Sequence, residues 1–470
     1  MCANHRLYCG RFQPRVEERC SARRLTGVFV VGGTALDFFL ARRAHGEHLA
    51  FVPDAAWRQS GAADSNAKFV PANAAPMARI PHRYNRRMPL PRPPLGGISP
   101  KAFLREYWQK RPLLVRQAVP GFAGVMGRRA LFSLAAGGEA ESRLIERSPG
   151  WRVTHGPIER RNLSRLPARD WTLLVNAINL HSARANALLG RFAFVPWARL
   201  DDVMVSYAVD GGGVGPHVDS YDVFLLQGPG RRRWRLMPPG RRAFRLLAGA
   251  PLRLIADFRP TEDMTLEPGD MLYLPPGWGH EGTAIGTCQT YSVGFRAPGG
   301  AELSTAFLDF LHERGFADAA YRDPDRSPAA HPGLIDAHMI DHAAKVLGRI
   351  RWNRSAVAEF LGRHLSEPKQ HVVFEPPRRP MKPAEFRRRL ATVVVRLDPR
   401  TRMLARGSRI FINGSAVAVA ARARPALLGL ADKREANGGG LARTGAGELI
   451  FEWYRQGFLL LEKNPRQKNR

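Results

Sequence analysis

Two ligand-type side chains sit two residues apart in Pro216-His217-Val218-Asp219, and a third closes Pro275-Pro276-Gly277-Trp278-Gly279-His280, about sixty residues on. A strand has a period of two, so His217 and Asp219 point to one side and Val218 to the other. Two imidazoles and one carboxylate on one face form the donor set that holds non-haem Fe(II) and leaves positions open for a chelating 2-oxo acid and dioxygen. A lone histidine is more often a hydrogen-bonded core residue. Three ligand types in this order, after Gly/Pro turns, favour the metal. His217, Asp219 and His280 are therefore expected to bind Fe(II) and carry catalysis.

A 2-oxo acid also needs a cation for its far carboxylate. Gly230-Arg231-Arg232-Arg233-Trp234 lies one strand beyond the first ligand pair. Alternation puts Arg231 and Arg233 on one face and Arg232 on the other. A partly buried guanidinium fork suits a carboxylate, whereas a solvated arginine run is an adequate account of the outward pair. Thr290 and Ser292 share one face of a later strand and are candidates for the cosubstrate's other end, or simply structural hydroxyls.

The elements around these residues are mainly β. Val203–Val209, Val223–Gln227, Trp234–Met237, Leu252–Phe258, Met271–Leu274 and Gln289–Phe295 read as short strands between Gly/Pro turns. Such spacing argues for an antiparallel sandwich or barrel, of which the double-stranded β-helix (jelly-roll, cupin) is one. The Gly211–Pro216 segment reads as a flexible cover for a substrate. Before the strands, Ser99 and Pro100 form an N-cap and first position for a helix over Lys101–Gln109. After Pro298 the pattern turns helical, with apolar faces on Leu303, Phe307, Phe310 and Leu311, on Ile335, Met339 and Val346, and on Val357, Phe360 and Leu361. Pro376–Pro380 reads as a linker. A compact α+β module follows, with a basic helix at Pro383–Leu390 and the favoured hairpin pair Asn413-Gly414.

The chain has 470 residues, 44% hydrophobic and 24% charged, and no apolar run near the length of a membrane span. A cytoplasmic protein with no membrane association is the expectation. Four cysteines cannot form a disulfide framework; Cys2, Cys9 and Cys20 lack a CxxC pair, and Cys288 reads as a buried hydrophobe. The net charge of +31 suits anionic partners such as RNA, but the excess is spread out and mostly arginine. Direct nucleic-acid binding is not the favoured reading. Residues 1–87 lack periodicity and are expected to be an unstructured or mis-annotated extension, with a natural start near Met77 or Met88.

The runs Gly-Pro-His217-Val-Asp219-Ser-Tyr-Asp-Val-Phe, Gly-Arg-Arg-Arg-Trp, Glu-Pro-Gly-Asp-Met-Leu-Tyr-Leu-Pro-Pro-Gly-Trp-Gly-His280-Glu-Gly and Tyr-Ser-Val-Gly-Phe-Arg-Ala-Pro together resemble the bacterial ribosomal oxygenases. These are JmjC-type, 2-oxoglutarate-dependent protein hydroxylases, and the likeness covers about Pro89 to Lys463. It implies a jelly-roll catalytic domain (88–300), a helical dimerisation domain (301–375) and a winged-helix-like C-terminal domain (376–470). It implies that Arg232 binds 2-oxoglutarate, that O2 is consumed, and that the protein is a homodimer. The implied activity is hydroxylation of a ribosomal protein, at an arginine C3 of large-subunit protein sixteen. Histidine hydroxylation, lysine demethylation and a non-catalytic, nucleic-acid-associated cupin are the alternatives.

A cationic substrate side chain wants acidic and aromatic partners near the iron. Asp210, Asp222 and Glu281, with Tyr221 for stacking, are the candidates for substrate binding. His338 and His342 have i, i+4 spacing on a helix but no evident third ligand, and read as interface or surface residues.

Overall fold

A computed structural model describes residues 26–31, 34–39, 93–240, 243–315 and 320–463. Residues Met1–Pro81 form one unit and His82–Arg470 another. In the first, Thr26–Val31 and Thr34–Phe39 pair antiparallel, strand structure where the sequence reading expected none. Valine and phenylalanine around a Gly32-Gly33 pair are a hairpin signal of the kind that two-residue turns favour. The rest of the expected extension lies outside the described residues.

In the second unit the chain enters through helix Pro100–Glu106. Ser99 caps it by accepting from the Ala102 N–H at 3.1 Å, and Pro100 occupies the first turn. Phe103 on its inner face meets Tyr273 and Phe224 with ring centroids 5.0 and 5.5 Å apart. Those two rings belong to an eight-stranded antiparallel sheet. Its order is Leu113–Val115, Met271–Leu274, Val223–Gln227, Cys288–Phe295, Leu200–Ala208, Trp171–Val175, Ser142–Glu146, Arg152–His155.

Both faces of this sheet are covered, which is why Val223–Gln227 and Trp171–Val175 are buried throughout. Tyr291, Val293 and Phe295 pack outward against the helices. Val223, Leu225, Leu272 and Leu274 pack inward against Trp234, Leu236 and Leu266 of a second, four-stranded sheet. The second sheet runs Glu262–Leu266, Arg231–Met237, Gly279–Ile285, His217–Val218. Two antiparallel sheets closing over one interior are the expected jelly-roll.

One expected strand is corrected. Leu252–Phe258 is not a strand and holds only a single bridge, Leu246 to Ile255. Glu262–Leu266 pairs at the edge instead. It starts at an exposed edge, so Glu262 and Asp263 dilute the apolar signal that marks the buried strands.

Helices Gly300–Glu313, Ala337–Leu347 and Arg354–Ser366 follow, with Phe310, Leu311 and Phe360 forming a small core between the first and third. The last segment opens with helix Pro383–Leu390 and contains the hairpin Arg409–Ile412/Ser415–Ala418, whose turn residues Asn413 and Gly414 have φ of 47° and 84°. Those positive angles are what the Asn-Gly pair tolerates. Helices Arg424–Lys433, Gly438–Arg443 and Gly447–Arg455 and strand Leu459–Lys463 complete it. Among the described residues no helix is long and apolar enough to cross a membrane.

Candidate metal centre and cosubstrate pocket

His217 and His280 face each other across the edge of the small sheet, where their strands pair in register. One ligand atom from each of His217, Asp219 and His280 lies within 4.8 Å of the others, and the imidazole centroids are 4.2 Å apart. Both rings are oriented in the same way. His217 Nδ1 sits 2.9 Å from the Gly215 carbonyl, and His280 Nδ1 3.0 Å from the Trp278 carbonyl. A carbonyl only accepts, so each Nδ1 carries the proton and each Nε2 keeps its lone pair. Such outer contacts fix the tautomer of metal-binding histidines. Burial, helped by His217, pushes His280 down to about 4, so its ring stays neutral and able to donate to a metal at physiological pH. These are the only clustered ligand residues of this kind among the described residues.

The glycines before His217 are packed rather than flexible. A Cβ on Gly213 would stand 2.3 Å from the Gly282 carbonyl, and one on Gly215 2.9 Å from the Trp151 ring. Gly211 donates to Ala284 and Ala284 to Gly212. The segment is a close backbone contact that sets the ligand strand against its neighbour, not a lid.

Arg232 points into the interior, and Arg231, Arg233 and Arg235 point out, as alternation requires. Arg233 is paired with Asp263 and Arg235 with Glu281. Arg232 is 3% exposed, has no carboxylate partner among the described residues, and its Nε is a buried orphan. Its Nη2 touches the Cys288 sulfur at 3.7 Å. A buried, unpaired guanidinium is costly, and a ligand carboxylate removes that cost. Thr172 adds a second unsatisfied polar atom, its buried Oγ1. It pairs with Ala208, which pairs in turn with Cys288, so the hydroxyl lies in the inward-facing row that the Arg232 guanidinium meets from the other sheet. Sequence reading missed Thr172, because a threonine in a buried strand has no signal of its own; inward alternation from Trp171 is the one that would have found it. The residues present thus fit a divalent metal and a dicarboxylate.

Thr290 and Ser292 also face inward, but the Thr290 hydroxyl is engaged, donating to Gln227 Oε1 at 3.1 Å. The substrate candidates separate. Tyr221 is 39% exposed at the mouth, its hydroxyl proton held by burial and by the Asp219 carboxylate. Asp210 lies beside the far end of the strand that carries His280, paired with Arg169 at 2.9 Å and accepting from the Gly286 N–H at 2.8 Å. Asp222 is corrected: it is fully buried and accepts from the Tyr273 hydroxyl at 2.7 Å and from Gln109 at 2.9 Å. Its position in the helix-covered face of the large sheet removes it from the cleft. Glu281 is corrected too. It neighbours His280 on a strand, so it points to the opposite face, where Arg235 and Arg147 hold it. His342 packs on the Tyr321 ring, and neither it nor His338 joins a ligand cluster.

Comparison with known proteins fits this geometry. Residues 187–303 match the family model of the JmjC domain, and residues 349–460 that of a ROXA-like winged helix. The chain is 37% identical over 321 residues to the ribosomal protein uL16 3-hydroxylase of Escherichia coli (strain K12), covering 67% of this chain and 84% of that protein. An X-ray structure of E. coli ycfD superposes with a TM-score of 0.68 at 33% identity, over 78% of this chain and 99% of that one. The structure of YcfD, a ribosomal oxygenase from E. coli, in complex with cobalt and 2-oxoglutarate superposes with a TM-score of 0.66 at 32% identity, over 78% and 99%. A triad of two imidazoles and a carboxylate, a buried guanidinium lacking an anion and these likenesses agree: the chain belongs to the ribosomal oxygenases, JmjC-type dioxygenases dependent on 2-oxoglutarate.

Proposed function

We propose that the protein hydroxylates large-subunit ribosomal protein uL16 at the C3 position of an arginine side chain, with Fe(II), 2-oxoglutarate and O2. The observation that carries this reading is the pairing of a three-ligand site, both histidines held as Nε2 donors, with an orphan arginine on the adjoining strand. Iron bound there would couple oxidative decarboxylation of 2-oxoglutarate, to succinate and CO2, to transfer of one oxygen atom into a C–H bond. The chain's own part is to bind, orient and exclude water. His217, Asp219 and His280 hold the metal, and the Gly215 and Trp278 carbonyls keep the imidazoles turned toward it. Arg232 takes the far carboxylate of the cosubstrate. Leu225, Trp234 and Leu272 wall the interior and keep it dry.

At the mouth, Tyr221 suits a guanidinium by its ring face, whereas Asp210 is already paired with Arg169. The surrounding charge of +31 opposes a basic substrate, so local acidity must prevail over a repulsion already screened within about 8 Å at physiological salt. A ribosomal protein substrate places the reaction in the cytoplasm. A second copy of the chain is the proposed cover for the helix Ala337–Leu347 and the turn before it, where Ile335, Ile340 and Leu347 are 75%, 55% and 65% exposed.

Purified protein supplied with Fe(II), 2-oxoglutarate and uL16 is expected to release succinate and add the mass of one oxygen at a single arginine. His217→Ala should abolish both. Turnover that survives this change would overturn the metal assignment, and oxygen mapped to a histidine would overturn the substrate residue.

A further inference from the structure

The C-terminal segment holds far more positive charge than its salt bridges use. Between residues 376 and 463 there are 18 Lys and Arg against 7 Asp and Glu. Arg396 and Arg400 are consumed by Glu435 and Asp398. Twelve others are exposed and stand in no ion pair among the described residues, and seven of these, all arginines, lie on segments that touch one another.

Arg387, Arg388 and Arg389 occupy the last turn of helix Pro383–Leu390. The residue that closes this helix, Ala391, touches Gly439: its carbonyl is 2.9 Å from where a Cβ on that glycine would stand, and Arg443 Nη1 is 3.6 Å from the same point. Gly445, two residues past Arg443, has the Arg422 guanidinium 2.6 Å from its own Cβ position. Arg424, two residues past Arg422, donates from Nη1 to the Gly407 carbonyl at 3.3 Å. Gly407 lies in the turn between strand Met403–Arg406 and its antiparallel partner Arg409–Ile412. The series therefore runs without a break from the helix end to the hairpin tip.

A helix C-terminus favours cations, which accounts for the first three arginines and for Arg443, the last residue of helix Gly438–Arg443, but not for Arg406, Arg422 and Arg424. Neighbouring like charges repel within a Debye length of about 8 Å, and no ion pair among the described residues offsets them. A row of guanidinium forks matches a row of phosphates. None of the exposed large apolar side chains, Trp352 and Tyr221 included, belongs to the row, so it offers no ring for base stacking.

We propose that this arginine surface docks the phosphate backbone of RNA, without regard to base sequence. The expectation of RNA rather than another polyanion rests on the proposed ribosomal substrate, a protein that meets the enzyme amid RNA. The binding itself requires no catalysis.

The test is fluorescence anisotropy of the full chain with a labelled single-stranded RNA of mixed sequence, titrated across NaCl concentrations. Each phosphate contact contributes a slope of about −0.7 in log K against log salt. The triple variant R387Q/R388Q/R389Q is expected to flatten the slope by about 2, and Gln at all seven positions to abolish binding. Lys at the seven positions retains charge and should retain binding, which separates loss of charge from loss of fold. Succinate release with free uL16 should match wild type in every variant, so the RNA site and the catalytic reading fail independently. RNA affinity and slope unchanged in the seven-Gln chain would overturn the proposal. So would tighter binding of polyglutamate, or of phosphatidylserine vesicles, than of RNA.

Discussion

At the residue scale the proposed cosubstrate pocket is defined by what its polar atoms lack. Arg232 is sealed in the interior with an unbonded Nε, and Thr172 contributes an unbonded hydroxyl from the facing sheet. A dicarboxylate answers both. Charge-assisted bonds from a buried guanidinium contribute about 1.5–3 kcal/mol each. Arg232→Met is therefore expected to raise the KM for 2-oxoglutarate about a hundred-fold or more, each 1.4 kcal/mol being tenfold. Cobalt binding, followed by its visible absorption, should persist. Thr172→Val removes one hydrogen bond to an ionised carboxylate, about 1.5–3 kcal/mol, so the expected rise in KM is about ten- to a hundredfold with thermal stability unchanged. An unchanged KM in steady-state kinetics would place the threonine outside the pocket. Arg232 was legible because three consecutive arginines must alternate. Thr172 was not: alternation from Trp171 marks its face, but only the pairing through Ala208 sets it toward Cys288.

At the element scale, the ligand strands depend on turns pinned from elsewhere. Asp270, in the turn before Met271–Leu274, accepts from the N–H groups of Gln117 and Glu267 and from Arg116. Burial works against its charge, but these three donors together hold its carboxyl below the usual range. A carboxyl depressed in the folded state adds stability above its unfolded pKa of about 3.9, and loses it as pH falls through the folded value. Stability should therefore decline below about pH 4 with a contribution from this group. Asp270→Asn should lower the melting temperature at pH 7 and shrink the difference from wild type as the pH is lowered into that range. Calorimetry across the pH series measures both. The same scale explains the misread glycines: Gly213 and Gly215 look like a mobile loop in sequence, and only their contacts with Gly282 and Trp151 reveal close packing.

At the scale of the whole molecule, the jelly-roll and the C-terminal segment are joined by a buried charge cluster. Lys369 reaches Asp202, and Arg402 reaches Asp201 at 3.2 Å, around a cavity of about 40 Å³. Trp197 donates to the Asp432 carbonyl at 3.1 Å, and Arg434 stacks on its ring. Burial alone would raise the Asp201 carboxyl, but Lys369, Arg402 and Arg296 hold it low. Asp202 is pushed up, by burial and then by Asp201, despite Lys369. Lys369 is a quarter exposed and Asp201 keeps Arg402 and Arg296, so losing Lys369 costs chiefly its charge-assisted bond to Asp202, about 1.5–3 kcal/mol. Lys369→Met is thus expected to lower stability by about that amount in urea unfolding, with the KM for 2-oxoglutarate little changed. A stable variant would show that the junction is held by its apolar contacts instead.

The chemistry was local, and the sequence determined it. His217 and Asp219 share a face because strands have a period of two, and His280 follows a Pro/Gly turn that marks its own position. Alternation likewise singled out Arg232 from its neighbours, and Asn413-Gly414 named its hairpin. Tertiary structure decided what spacing cannot carry: which face of a strand is inside, and which charges are already spent. Asp222 and Glu281 lie as near the ligands in sequence as Tyr221 does, yet one is enclosed behind the large sheet and the other faces away. A carboxylate is available to a substrate only if no nearer donor has satisfied it. That depends on partners such as Gln109, Tyr273, Arg147 and Arg235, which only the folded chain brings together.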